Sequence, residues 1–320
     1  MGFISRQIEK TYRSILFRRH DPDDSIFYFS HSDFDGLSAK SFSFKSKRGH
    51  LLHGNFYSYP NPRADRLIVF EHGFGGGHRA YMKEIEMLCR HGYTVLAYDH
   101  TGCMESGGND TNGMSQSLCD LNDCINTIKK DKQFSGYDIS VIGHSWGGFS
   151  TLNISALHLE ISHIVALSGF VSVEEIVNDF FSSAMKPYRK SIMKLEREAN
   201  PNFVSYNAVE SLKSSNTKAL LIYSSDDPLV KQRHYEILKS ELSTHENISF
   251  MLLSKKGHNP NYTEDAVKIL GEFSVARAEL LKKNDLTKED KKLFIESFNW
   301  TAMTEQDEIV WKAIFEHLDK

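Results

Sequence analysis

The chain has 320 residues, 40% hydrophobic and 25% charged, with a formal net charge of −4. That length holds one large α/β domain or two small ones. The acidic balance argues against a nucleic-acid partner, which selects a basic face, and no apolar run approaches the ~20 residues of a membrane span, so stable insertion is not expected.

Residues Phe3 to Arg19 predict an amphipathic helix, with Ile4, Ile8, Tyr12, Ile15 and Leu16 on one face at helical spacing. Arg6, Lys10, Arg13, Arg18 and Arg19 make it basic. Such a helix either docks on the domain or lies on a membrane surface, and docking is the simpler expectation. Asp21-Pro22-Asp23-Asp24 ends it. The N-terminus shows no apolar signal core and no small-residue cleavage site, which points to a cytoplasmic location. Cys89, Cys103, Cys119 and Cys124 lack a Cys-x-x-Cys spacing and read as reduced packing thiols.

Polar–apolar alternation predicts half-exposed strands over Ser41 to Lys45 and Gly54 to Tyr59, joined by a turn at Lys47-Arg48-Gly49-His50. Strand Leu67 to Phe70, helix Tyr81 to Arg90, strand Thr94 to Tyr98, helix Ser115 to Lys130 and strand Asp138 to Ile142 follow. A helical run, Phe149 to Leu159, precedes strand His163 to Leu167. Alternating strands and helices imply an α/β fold: a mostly parallel sheet with helices on both faces. From 171 to 215 the pattern is helical without a strand, which predicts a small cap inserted over the site. Strand Ala219 to Tyr223, helix Lys231 to Glu241 and strand Ile248 to Leu252 complete the sheet. Beyond Asn261 the pattern is helical, with helix-start patterns at Thr287-x-x-Asp290 and Thr304-x-x-Asp307. The expected organisation is an N-terminal helical extension, residues 1–34, and a main domain, residues 35–320, that carries the cap and a helical C-terminal tail.

Gly143-His144-Ser145-Trp146-Gly147 lies between the predicted strand ending at Ile142 and the helical run. Gly-x-Ser-x-Gly in that context is a nucleophile elbow: a sharp turn exposes the Ser145 hydroxyl, and glycines leave room for it. A serine hydroxyl needs a base to take its proton, usually a histidine held by a carboxylate. In chain order the acid should follow a late strand and the histidine the last one. Either Asp226 or Asp227 meets the first condition. Asp227, which precedes the turn into the next helix, is assigned, and Asp226 reads as a solvated turn or capping residue. His258 meets the second, beside Gly257 after the final strand.

The glycine-rich loop His72-Gly73-Phe74-Gly75-Gly76-Gly77-His78 follows the strand ending at Phe70. Its Phe74 N–H is assigned, with the Trp146 N–H, to an oxyanion hole; each such donor is worth about 2.7–4 kcal/mol in the transition state. The loop matches neither nucleotide-binding glycine pattern. His72 and His78 form no metal-binding motif, so no metal or organic cofactor is expected. The Phe74 and Trp146 side chains either border an apolar acyl pocket or pack into the core.

In order and spacing these motifs resemble an α/β-hydrolase fold serine hydrolase over roughly residues 40 to 275. Asp99-His100-Thr101-Gly102-Cys103-Met104-Glu105-Ser106 is similar to that family's Asp-x-Arg-Gly-x-Gly-x-Ser loop, with Thr101 for the arginine and Met104 for the second glycine. The resemblance is strongest to single-domain esterases and to serine aminopeptidase or prolyl-oligopeptidase-like members. It implies a hydrolase acting through an acyl-enzyme on a small-molecule ester, thioester or amide, a carboxylesterase first and an aminopeptidase on short peptides second. An acyltransferase and a non-catalytic binding protein on the same fold stay open, as does an oligomer.

Overall fold

Apolar neighbours along each strand point to opposite sides of one sheet, as a two-residue repeat requires. A computed structural model describes residues 3–181 and 183–320. The chain runs through α1 (Phe3–Leu16), β1 (Ser38–Lys45), β2 (Leu51–Ser58), β3 (Arg66–Glu71), α2 (Met82–Arg90), β4 (Thr94–Tyr98), α3 (Gln116–Ile128) and β5 (Asp138–His144). It continues through α4 (Trp146–Ile154), β6 (His163–Leu167), α5 (Val173–Phe180), α6 (Arg189–Ala199), α7 (Ala208–Lys213), β7 (Lys218–Ser224), α8 (Arg233–Leu242) and β8 (Ile248–Leu253). Four C-terminal helices follow: α9 (Glu264–Leu280), α10 (Lys288–Glu296), α11 (Trp300–Met303) and α12 (Glu308–Leu318).

The eight strands form one sheet in the order β1-β2-β4-β3-β5-β6-β7-β8. β2 pairs antiparallel with both β1 and β4, and the remaining pairs are parallel. Leu67, Val69, Val141 and Leu221 face α3, α4 and α8. Ile68, Phe70, Ile142 and Ile222 face α2 and α12, which contribute Met82, Ile85, Trp311 and Ile314. Each such fully buried side chain contributes about 1.5–3 kcal/mol. This is the α/β-hydrolase fold, with α12 closing the second face of the sheet.

α1 docks through a narrower stripe than expected. Tyr12, Leu16 and Phe17 are buried, whereas Ile4 and Ile15 are 59% and 54% exposed. Positions four apart stack in one row along a helix, and the row Ile8–Tyr12–Leu16 fills the contact. Tyr12 Oη donates to Glu196 Oε1 of α6 at 2.7 Å, and the Met114 amide donates to Glu196 Oε2 at 2.9 Å. Burial pushes the Glu196 carboxyl up to about 7. Among the described residues no helix is long and apolar enough to cross a membrane.

Two local expectations shift. α4 starts at Trp146, before the expected Phe149, because packing overrides the low helix propensity of Gly147 and Gly148. Thr287 and Asp290 do form a capping box, but Thr304 ends α11, and Asp307 itself caps α12 by accepting from the Ile309 and Val310 amides.

Candidate active site

The turn that carries Ser145 is built by close backbone approach. A Cβ on Gly147 would lie 2.2 Å from the Glu71 carbonyl oxygen, and one on Gly143 would lie 2.3 Å from the Gly147 carbonyl oxygen. With both side chains absent, α4 starts directly against the end of β3, and Ser145 is forced to φ 58°, ψ −111°. That left-handed conformation is strained for any residue with a Cβ. The Ser145 amide donates to the Leu167 carbonyl at 2.8 Å, which holds the turn over β6.

Trp146 is the first residue of α4, so its N–H has no acceptor within the helix and points from the positive end of the helix dipole. Phe74 sits in a turn closed by the Gly76 amide on the Gly73 carbonyl, with Gly75 at φ 77°. Phe74, Ser145, Trp146 and His258 line one cavity of about 260 Å³. The Phe74 ring meets that of Trp146 edge-on at 5.2 Å. The Trp146 indole has no exposure, and its Nε1 donates to the Met114 carbonyl at 2.5 Å, so that ring is a fixed part of the wall.

The ends of β7 and β8 supply the other two groups. His258 Nδ1 lies 2.8 Å from Asp227 Oδ2. A carboxylate only accepts, so the proton sits on Nδ1 and leaves Nε2 as the basic nitrogen. Asp227 also accepts from the Leu229 and Val230 amides at 2.8 and 3.0 Å, which fixes the carboxylate before it meets the ring. Asp226 is the exposed turn residue expected, and it also holds a neighbouring loop. It accepts from Ser224 Oγ at 2.5 Å, from the Lys256 amide at 3.2 Å and from the Gly257 amide at 3.3 Å. Burial opposes its charge, but these donors outweigh burial and hold its carboxyl below the usual range. It thereby fastens the histidine loop to the end of β7.

A second histidine joins the three loops. His144 Nε2 lies 2.7 Å from the His258 carbonyl oxygen, and its Nδ1 lies 2.8 Å from Tyr81 Oη. Burial, aided by the nearby His258, pushes the His144 imidazole down to about 3, so the ring is neutral with its single proton on Nε2. Tyr81 must then donate to Nδ1, and its oxygen accepts from the Gly73 amide at 3.0 Å. The glycine loop, the turn at Ser145 and the histidine loop are held by one directed chain. Replacing Tyr81 with phenylalanine leaves the Gly73 N–H and His144 Nδ1 without these partners, at a cost of about 1–3 kcal/mol in stability. Turnover should fall about tenfold, short of the 10²–10³ typical of a lost oxyanion donor, with the larger change in kcat rather than KM. Steady-state kinetics and a urea melt check both.

The histidines flanking the glycine loop shape it. His72 Nδ1 donates to the Gly73 carbonyl at 2.8 Å while its Nε2 accepts from the His100 amide at 3.0 Å. His78 bridges Asp99 and Tyr57 at 2.8 and 2.9 Å. In the Asp99 loop, Thr101 bonds Asp120 through its amide and its hydroxyl at 2.8 and 2.9 Å. A guanidinium reaches the loop nonetheless. Arg19, from the segment after α1, donates to the carbonyls of Met104, Ser106 and Gly108. The links made by Tyr81, Asp226 and Arg19 were not part of the motif-based reading. Only their positions in space, far apart in sequence, reveal their roles.

The family model for serine aminopeptidase, S33, matches residues 62–235. Among solved structures, an esterase of Pyrococcus furiosus superimposes with a TM-score of 0.60 at 21% identity, over 83% of this chain and 98% of that one. An α/β hydrolase of a Penicillium species gives 0.52 at 17% identity, over 81% and 99%. Acetyl xylan esterase 1 of a Thermoanaerobacterium species gives 0.52 at 14% identity, over 86% and 98%. No curated protein sequence matches.

Proposed function

Since the chain belongs to the serine aminopeptidase S33 family of hydrolases, we propose that it cleaves carboxylic esters through an acyl-enzyme formed on Ser145. The observation that carries this reading is the convergence on one cavity of Ser145, at its strained φ of 58°, and His258, whose Nδ1 is held by Asp227 at 2.8 Å. Residues 171–215 act as the cap in this reading, and residues 1–34 as an extension of the main domain. Ser145 Oγ attacks the carbonyl carbon while His258 Nε2 takes its proton. Asp227 holds the imidazole in the right tautomer and stabilises the imidazolium. The amides of Phe74 and Trp146 receive the oxyanion. His258 then protonates the leaving oxygen, the C–O bond breaks, and water activated by the same nitrogen releases the acid.

The lining favours an ester over an aminopeptide. Recognition of a free α-ammonium calls for a carboxylate within hydrogen-bond reach. Among the described residues lining the cavity none is acidic, and Phe74, Met114, Phe170, Ile176 and Val230 present apolar surface. A panel of p-nitrophenyl esters from acetate to palmitate, beside aminoacyl p-nitroanilides, tests this. Ester turnover and fluorophosphonate labelling, both lost in Ser145→Ala, are expected. Anilide turnover lost in the same variant would shift the reading to an aminopeptidase. Silence throughout, without labelling, would overturn it in favour of a binding protein.

A further inference from the structure

Beside the catalytic cavity lies a second, larger hollow of about 520 Å³ that no step of the mechanism uses. It is a trough between α1 and the end of α5. Ile8, Thr11, Ile15 and Leu16 form one wall, and Phe180 and Phe181 form the other. Leu16 and Phe180 line both the trough and the cavity that holds Ser145. The two hollows are therefore neighbours with Leu16 and Phe180 at their common border, which places the trough next to the cavity that holds Ser145.

Its walls are apolar, and part of that surface is open to water. Ile15 is 54% and Phe180 is 47% exposed. Apolar side chains grouped along one hollow, rather than scattered singly, mark a place where something apolar binds. One polar group of its lining, the Tyr12 hydroxyl, is already engaged, because Tyr12 Oη donates to the buried Glu196. A ligand there gains contact with hydrocarbon and leaves the Tyr12–Glu196 hydrogen bond in place.

We propose that this trough receives the hydrocarbon tail of the substrate, so that the enzyme prefers esters of medium- to long-chain acids. This rests on the esterase reading of the catalytic cavity. From Leu16 to Gln7 the helix rises about 13 Å at 1.5 Å per residue, which matches an extended chain of roughly ten carbons. The wall formed by α1 lies outside the segment matched by the family model, residues 62–235. Chain-length preference is thus set by this chain's own N-terminal helix.

Binding and turnover separate the proposal from the reading beneath it. In the Ser145→Ala protein, calorimetric titration with butyrate, hexanoate, octanoate and decanoate should show affinity rising about three- to fourfold per methylene. Thr11→Trp places an indole in the trough from an exposed position on α1, and should weaken decanoate binding at least tenfold while the melting temperature stays unchanged. With Ser145 restored, the same substitution should cut kcat/KM for p-nitrophenyl decanoate at least tenfold more than for the acetate ester. Equal affinity for butyrate and decanoate, or decanoate binding undiminished by Thr11→Trp, overturns the proposal whether or not esters are cleaved. Sedimentation showing a dimer that excludes decanoate would assign the trough to a second copy of the chain and overturns it as well. Chain-length-dependent binding without any ester turnover would sink the esterase reading and leave the tail site standing.

Discussion

Ser145→Gly will abolish ester turnover and raise the melting temperature. The two effects have one cause. Ser145 sits at φ 58°, ψ −111°, where a residue with a Cβ pays on the order of 1–3 kcal/mol. Glycine adopts that conformation freely, though it gives back roughly 0.5–1 kcal/mol through the greater freedom of its unfolded chain. A net gain of about 1 kcal/mol, or roughly 2 °C in a domain of this size, is expected. The kcat should drop by at least ~10⁴-fold, as when the nucleophile of a serine triad is removed. Ser145→Ala should lose activity equally without the rise in melting temperature, because alanine keeps the Cβ. A thermal scan and a single-turnover assay on the two variants decide the matter. Turnover by either would remove Ser145 from the nucleophile's role, and equal melting temperatures would mean that no strain is stored at the elbow.

A large loss of stability is expected at Asp307. Lys256 is 6% exposed, and its Nζ donates to the Tyr262 carbonyl at 2.8 Å and to Asp307 Oδ2 at 2.6 Å. Removing the carboxylate strands a buried ammonium, which costs about 3–5 kcal/mol. It also removes the cap of α12, worth about 1 kcal/mol. Asp307→Ala should therefore unfold at markedly lower urea, and should lower kcat as well, since Lys256 directly precedes Gly257 and His258. Lys256→Met combined with Asp307→Asn removes both charges, keeps a capping side chain, and should recover most of the lost stability. The pH dependence has a definite sign. Burial opposes the Asp307 charge, but the Lys256 ammonium and the capping amides outweigh it and hold the carboxyl below its ordinary 3.8. A depressed carboxyl stabilises the fold above the unfolded value and loses that contribution as pH falls through the folded one. The urea midpoints of wild type and Asp307→Ala should thus converge below about pH 4.

The strands and the elbow were legible because they depend on local pattern. Continuous apolar runs such as Leu67 to Phe70 mark strands buried on both faces, and Gly143-x-Ser145-x-Gly147 encodes its own turn. The start of α4 was misplaced because helix propensity penalises Gly147 and Gly148, while their value lies in contacts with Glu71 and Gly169. Ile15 looked like core because helical periodicity reports which face is apolar and not how wide the partner surface is. The choice of Asp227 could be argued from the turn, but the clamp made by its neighbour Asp226 depends on β8 lying beside β7. The His144 link is further still from local pattern. It requires Tyr81, Gly73 and His258 from three loops, and a buried, neutral ring to set the direction of its hydrogen bonds.

The glycines of the elbow also set the protein's tolerance to mutation. Every substitution at Gly143 or Gly147 adds at least one carbon, and at both positions that carbon falls within 2.3 Å of a backbone carbonyl oxygen. At Gly148 it falls 2.7 Å from the Gly169 backbone. The nearest partner at each position is backbone, which cannot swing aside, so there is no graded response to residue size. In a saturation library selected for folding alone, these three codons should come through almost unvaried, while Ser145 between them accepts change. A folding screen and an activity screen would then disagree at one position of the motif and agree at its glycines, which tells the residue that reacts from the residues that make room for it.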